Sequence, residues 1–290
     1  MTYIVSPKHM TLNWKIVVVG VGGTGSAVAS GLCRLLIGRD TEIVLIDPDR
    51  VEEHNLLRQD FLPGDVGRFK SQVLAERLAR QYGRGIRYSV WPYDHEMVGE
   101  VSMGGMGHTP LINGLIIGCV DGPIGRAAIA KGFKDGRYTN WWLDSGNGRN
   151  SGQVLIGNCV PLVPLFPMFD EGAQEVMSLP IPSVQLPSLL APVPAGPQRD
   201  CAEEVIENDQ SATINQAMAT LVLTFVHKFL TNSLTWMQAW IDLEAGTLRV
   251  VPAEPVTVAR MLSVKVDDLI KQTKKGEEKH GERTETVDQP

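Results

Sequence analysis

Residues 15–26 read KIVVVGVGGTGS, and this stretch decides the fold. Its first part, 15–20, is a short β-branched run that ends in glycine, which is typical of a buried parallel strand. The spacing G-x-G-x-x-G follows, and residues 26–36 continue as a helix. Glycines allow the tight turn and let the backbone approach a phosphate, while the start of the helix offers free N–H groups. The stretch predicts a nucleotide-binding loop whose candidate residues are Gly20, Gly22, Gly23 and Gly25.

Strands and helices alternate through the first half of the chain. Residues 42–47, 86–91 and 115–120 read as strands, and residues 69–82 carry apolar residues at helical spacing. This alternation predicts an α/β fold, with a doubly wound and mainly parallel Rossmann-like sheet. The strand-like pairs 141–145 with 152–157, and 240–243 with 247–251, predict antiparallel strands that extend the sheet. The run SGNGRNSG at 145–152 predicts a turn with positive φ between the first pair.

The remaining segments define the domain organisation. Nine of the eighteen prolines fall within 161–197, so we expect a long loop at about 160–200. Residues 211–230 read as a helix, and the lysine- and glutamate-rich residues 271–290 as a disordered tail. We therefore expect one domain at 1–270, followed by the tail.

Composition sets the general class of protein. The chain has 290 residues, of which 43% are hydrophobic, and a net charge of -6, which does not indicate a nucleic-acid-binding surface. The N-terminus does not read as a signal peptide, and no apolar stretch is long enough to span a membrane, so the cytoplasm is expected. Four cysteines form no CxxC pair; Cys33 and Cys119 lie in apolar segments and are expected in the core.

Charged and polar residues follow the second strand. Asp47 ends this strand, where it can accept hydrogen bonds from a ribose hydroxyl, and to this point NAD fits as well as ATP. Asn55, Arg58 and Lys70 follow along the chain. Attack of a carboxylate on an α-phosphorus builds charge on phosphate oxygens, and fixed cations stabilise that charge. Hydride transfer has no need of such cations, so these residues favour nucleotidyl transfer.

The segments that carry these residues also resemble a known family. Residues 47–59 read DPDRVEEHNLLRQ, and residues 65–70 read DVGRFK. This pattern resembles the ThiF/MoeB/ubiquitin-activating superfamily. Farther along the chain, residues 143–147 (LDSGN) and 152–154 (GQV) resemble in particular the ThiF-like proteins of PRTRC systems. The resemblance implies that Asp47 binds ribose and that Asn55, Arg58 and Lys70 surround the triphosphate, with Arg58 and Lys70 as catalytic residues. The nucleotide-binding residues that it implies along these segments are Asp47, Asp49, Asn55, Arg58, Gln59 and Lys70.

A further match lies at the end of the fourth strand, where residues 118–122 read GCVDG. This resembles the V-D-N signature of the family, whose aspartate holds a magnesium ion. The resemblance therefore implies that Asp121 is the metal ligand and that the cofactors are ATP and Mg²⁺. Gly122 replaces the usual asparagine.

The activity implied by the resemblance is ATP-dependent adenylation of the C-terminal carboxylate of a small ubiquitin-like protein or peptide. The family also implies a homodimer. Relatives that go beyond adenylation carry a cysteine before the penultimate helix, so Cys201 is either an acyl-accepting thiol that forms a thioester or an inert loop residue. Two other classes remain open: an NAD(P)-binding oxidoreductase, and a non-catalytic ThiF-like nucleotide-binding module.

Overall fold

The computed structural model describes residues 2–10, 14–94, 114–133, 140–161, 166–192 and 212–271. These residues form an eight-stranded sheet with the strand order β10-β9-β6-β5-β4-β1-β2-β3. Its strands are β1 (Lys15–Val19), β2 (Glu42–Ile46), β3 (Ile86–Ser89), β4 (Gly114–Gly118), β5 (Trp141–Asn147), β6 (Ser151–Gly157), β9 (Trp236–Asp242) and β10 (Thr247–Pro252). Strands β3, β2, β1, β4 and β5 are parallel, whereas β6, β9 and β10 extend the sheet in antiparallel pairing. The predicted fold class is confirmed.

Both faces of the parallel part are covered. In β1, Ile16 and Val18 join the larger core cluster, and Val17 and Val19 join the smaller one, because successive side chains of a strand point to opposite faces. The helices are α1 (Gly23–Leu35), α2 (Lys70–Tyr82), α3 (Pro123–Lys131), α4 (Pro182–Gln185), α5 (Ala212–Leu230) and α6 (Pro255–Leu262). Residues of α1, α2 and α5 pack in the larger cluster, and residues of α3 pack in the smaller one. Strands β1, β2, β4 and β5 are thus largely buried on both sides, which explains their apolar runs, whereas the edge strand β3 is partly exposed.

Two local predictions were wrong. Within the expected loop at 160–200, residues 166–192 form short elements, namely β7 (Phe169–Asp170), β8 (Glu175–Val176), α4 and a 3₁₀ helix at Pro187–Leu190. Strand β7 also pairs with β11 (Ile270–Lys271), so Lys271 belongs to a small second sheet and not to the tail. These short pieces give no periodic pattern, since each is held by contacts with distant parts of the chain.

The turn after β5 also differs from its prediction. Strand β5 continues to Asn147, so residues 145–147 pair with β6 and only 148–150 form the turn. None of the residues 145–152 has a positive φ. Ladder hydrogen bonds to β6 therefore overrode the turn preference of glycine and asparagine in this run.

Candidate functional site

The glycine loop connects β1 to α1 and requires its small residues. Gly20 has a φ of 85°, and a Cβ atom at this position would lie 2.6 Å from the carbonyl oxygen of Cys119. A Cβ atom on Gly25 would overlap the carbonyl oxygen of Gly20. Helix α1 begins at Gly23, so its first N–H groups face the space above the loop. The sequence spacing of the glycines therefore follows from close backbone contacts.

A cavity of about 360 Å³ lies over this loop, at the carboxyl ends of the parallel strands. This is the position where ligands bind in open α/β sheets, next to the point where the strand order reverses. Most of the predicted residues meet there. Those that line the cavity are Gly20, Gly22, Gly23, Asp47, Asp49, Gln59, Lys70 and Asp121.

The carboxylate of Asp47 is held in one orientation at the end of β2. Its Oδ2 atom accepts a 2.7 Å hydrogen bond from the backbone N–H of Val21, and its Oδ1 atom accepts one of 2.9 Å from that of Asp49. Burial raises the pKa of Asp47, while the two backbone hydrogen bonds and Lys70 act in the opposite direction. A carboxylate has about four lone-pair sites, so this group retains acceptor capacity on the cavity side.

Lys70 supplies a cation on the same side of the cavity. Its Nζ atom lies 3.2 Å from Oδ2 of Asp49, and only 9% of its side chain is exposed. The backbone also fixes this residue, because the N–H of Lys70 donates to the carbonyl of Asp49 at the start of α2. Gln59 lies beside Gly22, and its Oε1 atom has no hydrogen-bond partner among the described residues.

Other predicted residues lie outside the cavity lining. Asn55 is buried within the 3₁₀ helix Glu53–Leu57, where its side chain accepts a hydrogen bond from the N–H of Glu52 and contacts His54. Arg58 follows this helix and is half-buried. Gly25 packs behind the loop, against Gly20. Cys201 lies outside the described residues.

The end of β4 brings a second carboxylate to the cavity. Asp121 is exposed at the rim, in the turn that leads into α3. A Cβ atom on Gly122 would have no neighbour within 4 Å, so the structure has room for the asparagine that is usual in the family signature. Cys119 packs against the core as expected and also lines the cavity, and burial raises the pKa of its thiol. The described residues contain no group of three or more acidic, histidine or cysteine side chains that is placed to hold a metal ion.

A buried ion pair supports this side of the site. The Nε atom of Arg126 in α3 lies 3.1 Å and 3.2 Å from the two carboxylate oxygens of Asp144 in β5. Its guanidinium also donates to the carbonyl oxygens of Asp121 and Ser145, at 3.4 Å and 3.5 Å. Burial raises the pKa of Asp144 to about 6, with Arg126 opposing the shift. Arg126 thereby ties the end of β4 to the end of β5.

Sequence reasoning missed several polar residues of the site. Tyr93 lines the cavity, and its buried hydroxyl has no partner among the described residues. The others lie on the β5 side: Thr24, Ser145 and Asn147 line the cavity, and Asn215 of α5 hydrogen-bonds with Thr24 and Asn147. Only the run of small polar residues at 145–147 was visible in the sequence, and it was interpreted as a turn. None of the helices in the described residues has the length and apolar character needed to cross a membrane.

Curated proteins that are similar to this chain include ubiquitin-like modifier-activating enzyme 5. The rat protein is 30% identical over 165 residues, which cover 54% of this chain and 39% of the rat protein. The Dictyostelium discoideum protein is 28% identical over 175 residues, covering 54% of this chain and 44% of the relative. The chain thus spans about two fifths of the length of these curated relatives.

Solved structures agree with the fold. Escherichia coli MccB crystallised with ATP matches with a TM-score of 0.51 at 19% identity, over 83% of this chain and 63% of that one. The crystal of MccB with MccA matches with a TM-score of 0.52 at 19% identity, over 86% and 67%. At these identities the likeness shows the fold. The sequence model of the ThiF family matches residues 9–84, which contain the glycine loop, Asp47 and Lys70. This match, which covers the first part of the chain, confirms the recognition made from the motifs.

Proposed function

We propose that this protein is an ATP-dependent adenylyltransferase that activates the C-terminal carboxylate of a small protein or peptide. One observation carries the proposal: a single cavity over the glycine loop is lined by Asp47, Lys70 and Asp121. These are the group types that a ribose, a polyphosphate and a phosphate-bound cation need. The relatives support the same reading, since one is named for modifier activation and MccB was crystallised with ATP.

Nucleotide binding in this proposal uses the two sides of the glycine loop. The fixed carboxylate of Asp47 accepts hydrogen bonds from the ribose hydroxyls. The N–H groups at the start of α1 face the phosphates, and Lys70 and Arg58 provide positive charge towards the leaving end. Asp49, which pairs with Lys70, sets the position of its ammonium group.

The reaction needs no general base. One oxygen of the substrate carboxylate forms a bond to the α-phosphorus, and the bond from that phosphorus to the bridging oxygen breaks. Pyrophosphate leaves with the electron pair, and no proton is transferred because a terminal carboxylate is already ionised at neutral pH. The residues of the cavity therefore contribute by positioning the reactants and by stabilising charge on the phosphate oxygens.

Asp121 is the residue that we assign to magnesium. Its exposed carboxylate at the cavity rim, without a three-ligand cluster among the described residues, fits an ion held mainly by phosphate oxygens. When bound there, Mg²⁺ supplies charge neutralisation at the phosphates. The guanidinium of Arg126 donates a hydrogen bond to the carbonyl oxygen of Asp121, which keeps this turn in place.

The finer parts of the proposal concern substrate and assembly. A ubiquitin-like protein or a peptide is the proposed acceptor. This agrees with the name of ubiquitin-like modifier-activating enzyme 5 and with the crystal of MccB together with MccA. We also propose a homodimer and one adenylation domain at 1–270.

For Cys201 we propose thioester formation after adenylation. Cys201→Ala would then leave the adenylation step intact and abolish any reducible adduct with the acceptor.

The test is pyrophosphate–ATP exchange, measured with Mg²⁺ and with candidate acceptors that end in Gly-Gly. We expect exchange that depends on an acceptor with a free C-terminal carboxylate, and none when that carboxylate is amidated. Saturable NAD binding without ATP binding would instead indicate an oxidoreductase. ATP binding without exchange for any acceptor would indicate a binding module.

A further inference from the structure

A group of uncharged polar side chains lies at the β5 end of the cavity. We call Thr24, Ser145, Asn147 and Asn215 the amide cluster. Thr24 comes from α1, Ser145 and Asn147 from β5, and Asn215 from α5. Three of the four line the cavity, and Asn215 is hydrogen-bonded to two of those three. The roles proposed above for the nucleotide-binding residues do not use this cluster.

Hydrogen bonds fix the orientation of the Asn215 amide. Its Oδ1 atom accepts from the Thr24 hydroxyl at 3.3 Å and from Nδ2 of Asn147 at 3.2 Å. Because an amide has its acceptor on one arm and its donors on the other, Nδ2 of Asn215 points away from both partners. It points at the glycine loop, since a Cβ atom added to Gly23 would overlap it.

Two donors of the cluster have no partner. Asn215 is only 2% exposed, yet its Nδ2 atom makes no hydrogen bond with any described residue. The same is true of the hydroxyl of Ser145, a residue that is 3% exposed and lines the cavity. Nearly all buried polar groups in native proteins are hydrogen-bonded, so the orphan hydroxyl of Ser145 in the cavity wall indicates that a ligand supplies its acceptor. Asn215 lies behind this wall, against Gly23, and holds Thr24 and Asn147 through its Oδ1 atom.

The position of the cluster indicates which part of the reactants it meets. Along the sheet the order is β5, β4, β1, β2, so the cluster and Asp47 lie on opposite sides of the glycine loop. The cavity-lining Lys70 is on the β2 side, where it contacts Asp49. In an in-line displacement the attacking and leaving oxygens lie on opposite sides of the phosphorus. If pyrophosphate leaves towards the cations, the acyl group enters from the β5 side.

The charge of the cluster agrees with this assignment. Ser145 and Asn147 lie on the face of β5 opposite to Asp144, whose charge is paired with Arg126. Neutral hydroxyl and amide groups suit a peptide end, which presents carbonyl oxygens and an N–H group, better than they suit a triphosphate.

We infer that the amide cluster is the acyl subsite: it binds the C-terminal residue of the acceptor, and the hydroxyl of Ser145 donates a hydrogen bond to its acyl oxygen. Asn215 is a positioning residue, whose Oδ1 atom holds the side chains of Thr24 and Asn147 in the cavity wall. This inference rests on the proposed adenylation and names the side chains that hold the carboxylate against the nucleotide.

The experiment compares two probes by calorimetry. One is ATP with Mg²⁺, and the other is glycylsulfamoyl adenosine, a non-hydrolysable acyl-adenylate analogue that carries a glycyl group. The variants are Ser145→Ala, which removes the donor in the cavity wall, and Asn215→Ala, which removes the amide oxygen that holds Thr24 and Asn147. We expect each variant to bind the analogue about tenfold more weakly, a loss of about 1.4 kcal/mol, with ATP affinity changed less than about threefold.

Asn158→Ala provides the matched control. Asn158 is also buried, but its amide is satisfied by backbone atoms of Met177 and Leu179, and it does not line the cavity. It should leave the affinity ratio of the two probes unchanged. If Asn215→Ala does not fold, Ser145→Ala alone decides the inference.

The outcomes separate the inference from the proposed function. Equal weakening of both probes, or no change in either, overturns the acyl subsite while pyrophosphate–ATP exchange by the wild type still supports adenylation. A wild type that binds neither ATP nor the analogue overturns both.

Discussion

The two sides of the cavity differ in chemistry and in how the chain builds them. On the β2 side, Asp47, Asp49 and Lys70 are charged and come from one contiguous segment of sequence. On the β5 side, the amide cluster is neutral and is assembled from α1, β5 and α5, which are far apart in the chain. A reaction in which charge develops on phosphate and a neutral peptide end must be aligned needs both kinds of surface. The contiguous charged side can be predicted from a sequence motif, whereas the neutral side can be identified only in the folded structure.

The largest effect is expected from the cation on the charged side. Lys70→Ala should reduce the exchange rate about a hundredfold, since removing one charged contact in a water-poor site costs about 3 kcal/mol of transition-state stabilisation. Steady-state exchange kinetics measure this. Lys271→Ala is the matched control, because Lys271 also pairs with an aspartate, Asp170, but lies in the small second sheet. Equal losses in both variants would contradict a specific role for Lys70.

The carboxylate assigned to the metal should come next. We expect Asp121→Ala to lower turnover about thirtyfold, within the roughly 10–100-fold range seen when metal-site residues are changed. ATP affinity should change less, because the ribose and phosphate contacts remain. A titration of exchange rate against Mg²⁺ concentration checks the assignment: the variant should need more Mg²⁺, and an unchanged Mg²⁺ dependence would place the metal elsewhere.

A smaller effect is expected from the ribose contact. Asp47→Ala should weaken ATP binding by about tenfold, since a hydrogen bond to a charged group is worth roughly 1.5–3 kcal/mol, and turnover at saturating ATP should fall less. Exchange kinetics over a range of ATP concentrations separate the two parameters. Asp170→Ala, which removes a carboxylate far from the cavity, should change neither. A fall in turnover at unchanged ATP affinity would assign Asp47 a different role.

The smallest effect on the reaction is expected from changes in the buried Asp144–Arg126 pair. These changes should affect mainly the free energy of unfolding. Burial raises the pKa of Asp144 to about 6, above its value of about 3.9 in an unfolded chain. Between about pH 4 and pH 6 the folded state therefore binds more protons, so this carboxyl group's contribution to the free energy of unfolding falls as pH rises, by at most about 3 kcal/mol. Denaturation of the wild type and Asp144→Asn at several pH values checks this, because the variant should lack that fall.

Asp170→Asn supplies a control of opposite sign. Hydrogen bonding to Lys271 lowers the pKa of Asp170, so its contribution is present above the unfolded pKa and is lost as pH falls through the folded value. If the stability of the wild type relative to Asp144→Asn increases with rising pH, the raised pKa of Asp144 is contradicted.

Most of the sheet was predictable from the sequence because its central parallel strands are buried on both faces. Runs such as 16–20 and 43–46 are continuously apolar, and the glycine loop between strand and helix has a backbone requirement that only glycine meets. Helix α6 and the short elements at 166–192 were not predicted. They are too short for periodicity to be distinctive, and they form through tertiary contacts such as the pairing of β7 with β11.

The same contrast applies to the site. Asp47 and Lys70 were predicted because charged residues at fixed spacing from a strand end carry a chemical meaning of their own. Asn215 could not be predicted, since an asparagine near the start of an apolar helix has no such meaning until the fold brings it to Thr24 and Asn147. Asn55 was predicted as a phosphate ligand, and the structure gives its side chain to the 3₁₀ helix before Arg58.

The central claim is that a carboxylate attacks the α-phosphorus of ATP in this cavity, and intact mass spectrometry of the acceptor tests it most directly. The acceptor is incubated with the protein, ATP and Mg²⁺, quenched in acid and weighed. The account predicts a mass increase of one adenylyl group, which is absent when the C-terminal carboxylate is amidated and strongly reduced with Lys70→Ala. A phosphoryl group on the acceptor instead of an adenylyl group would contradict it, because attack would then have taken place at the γ-phosphorus.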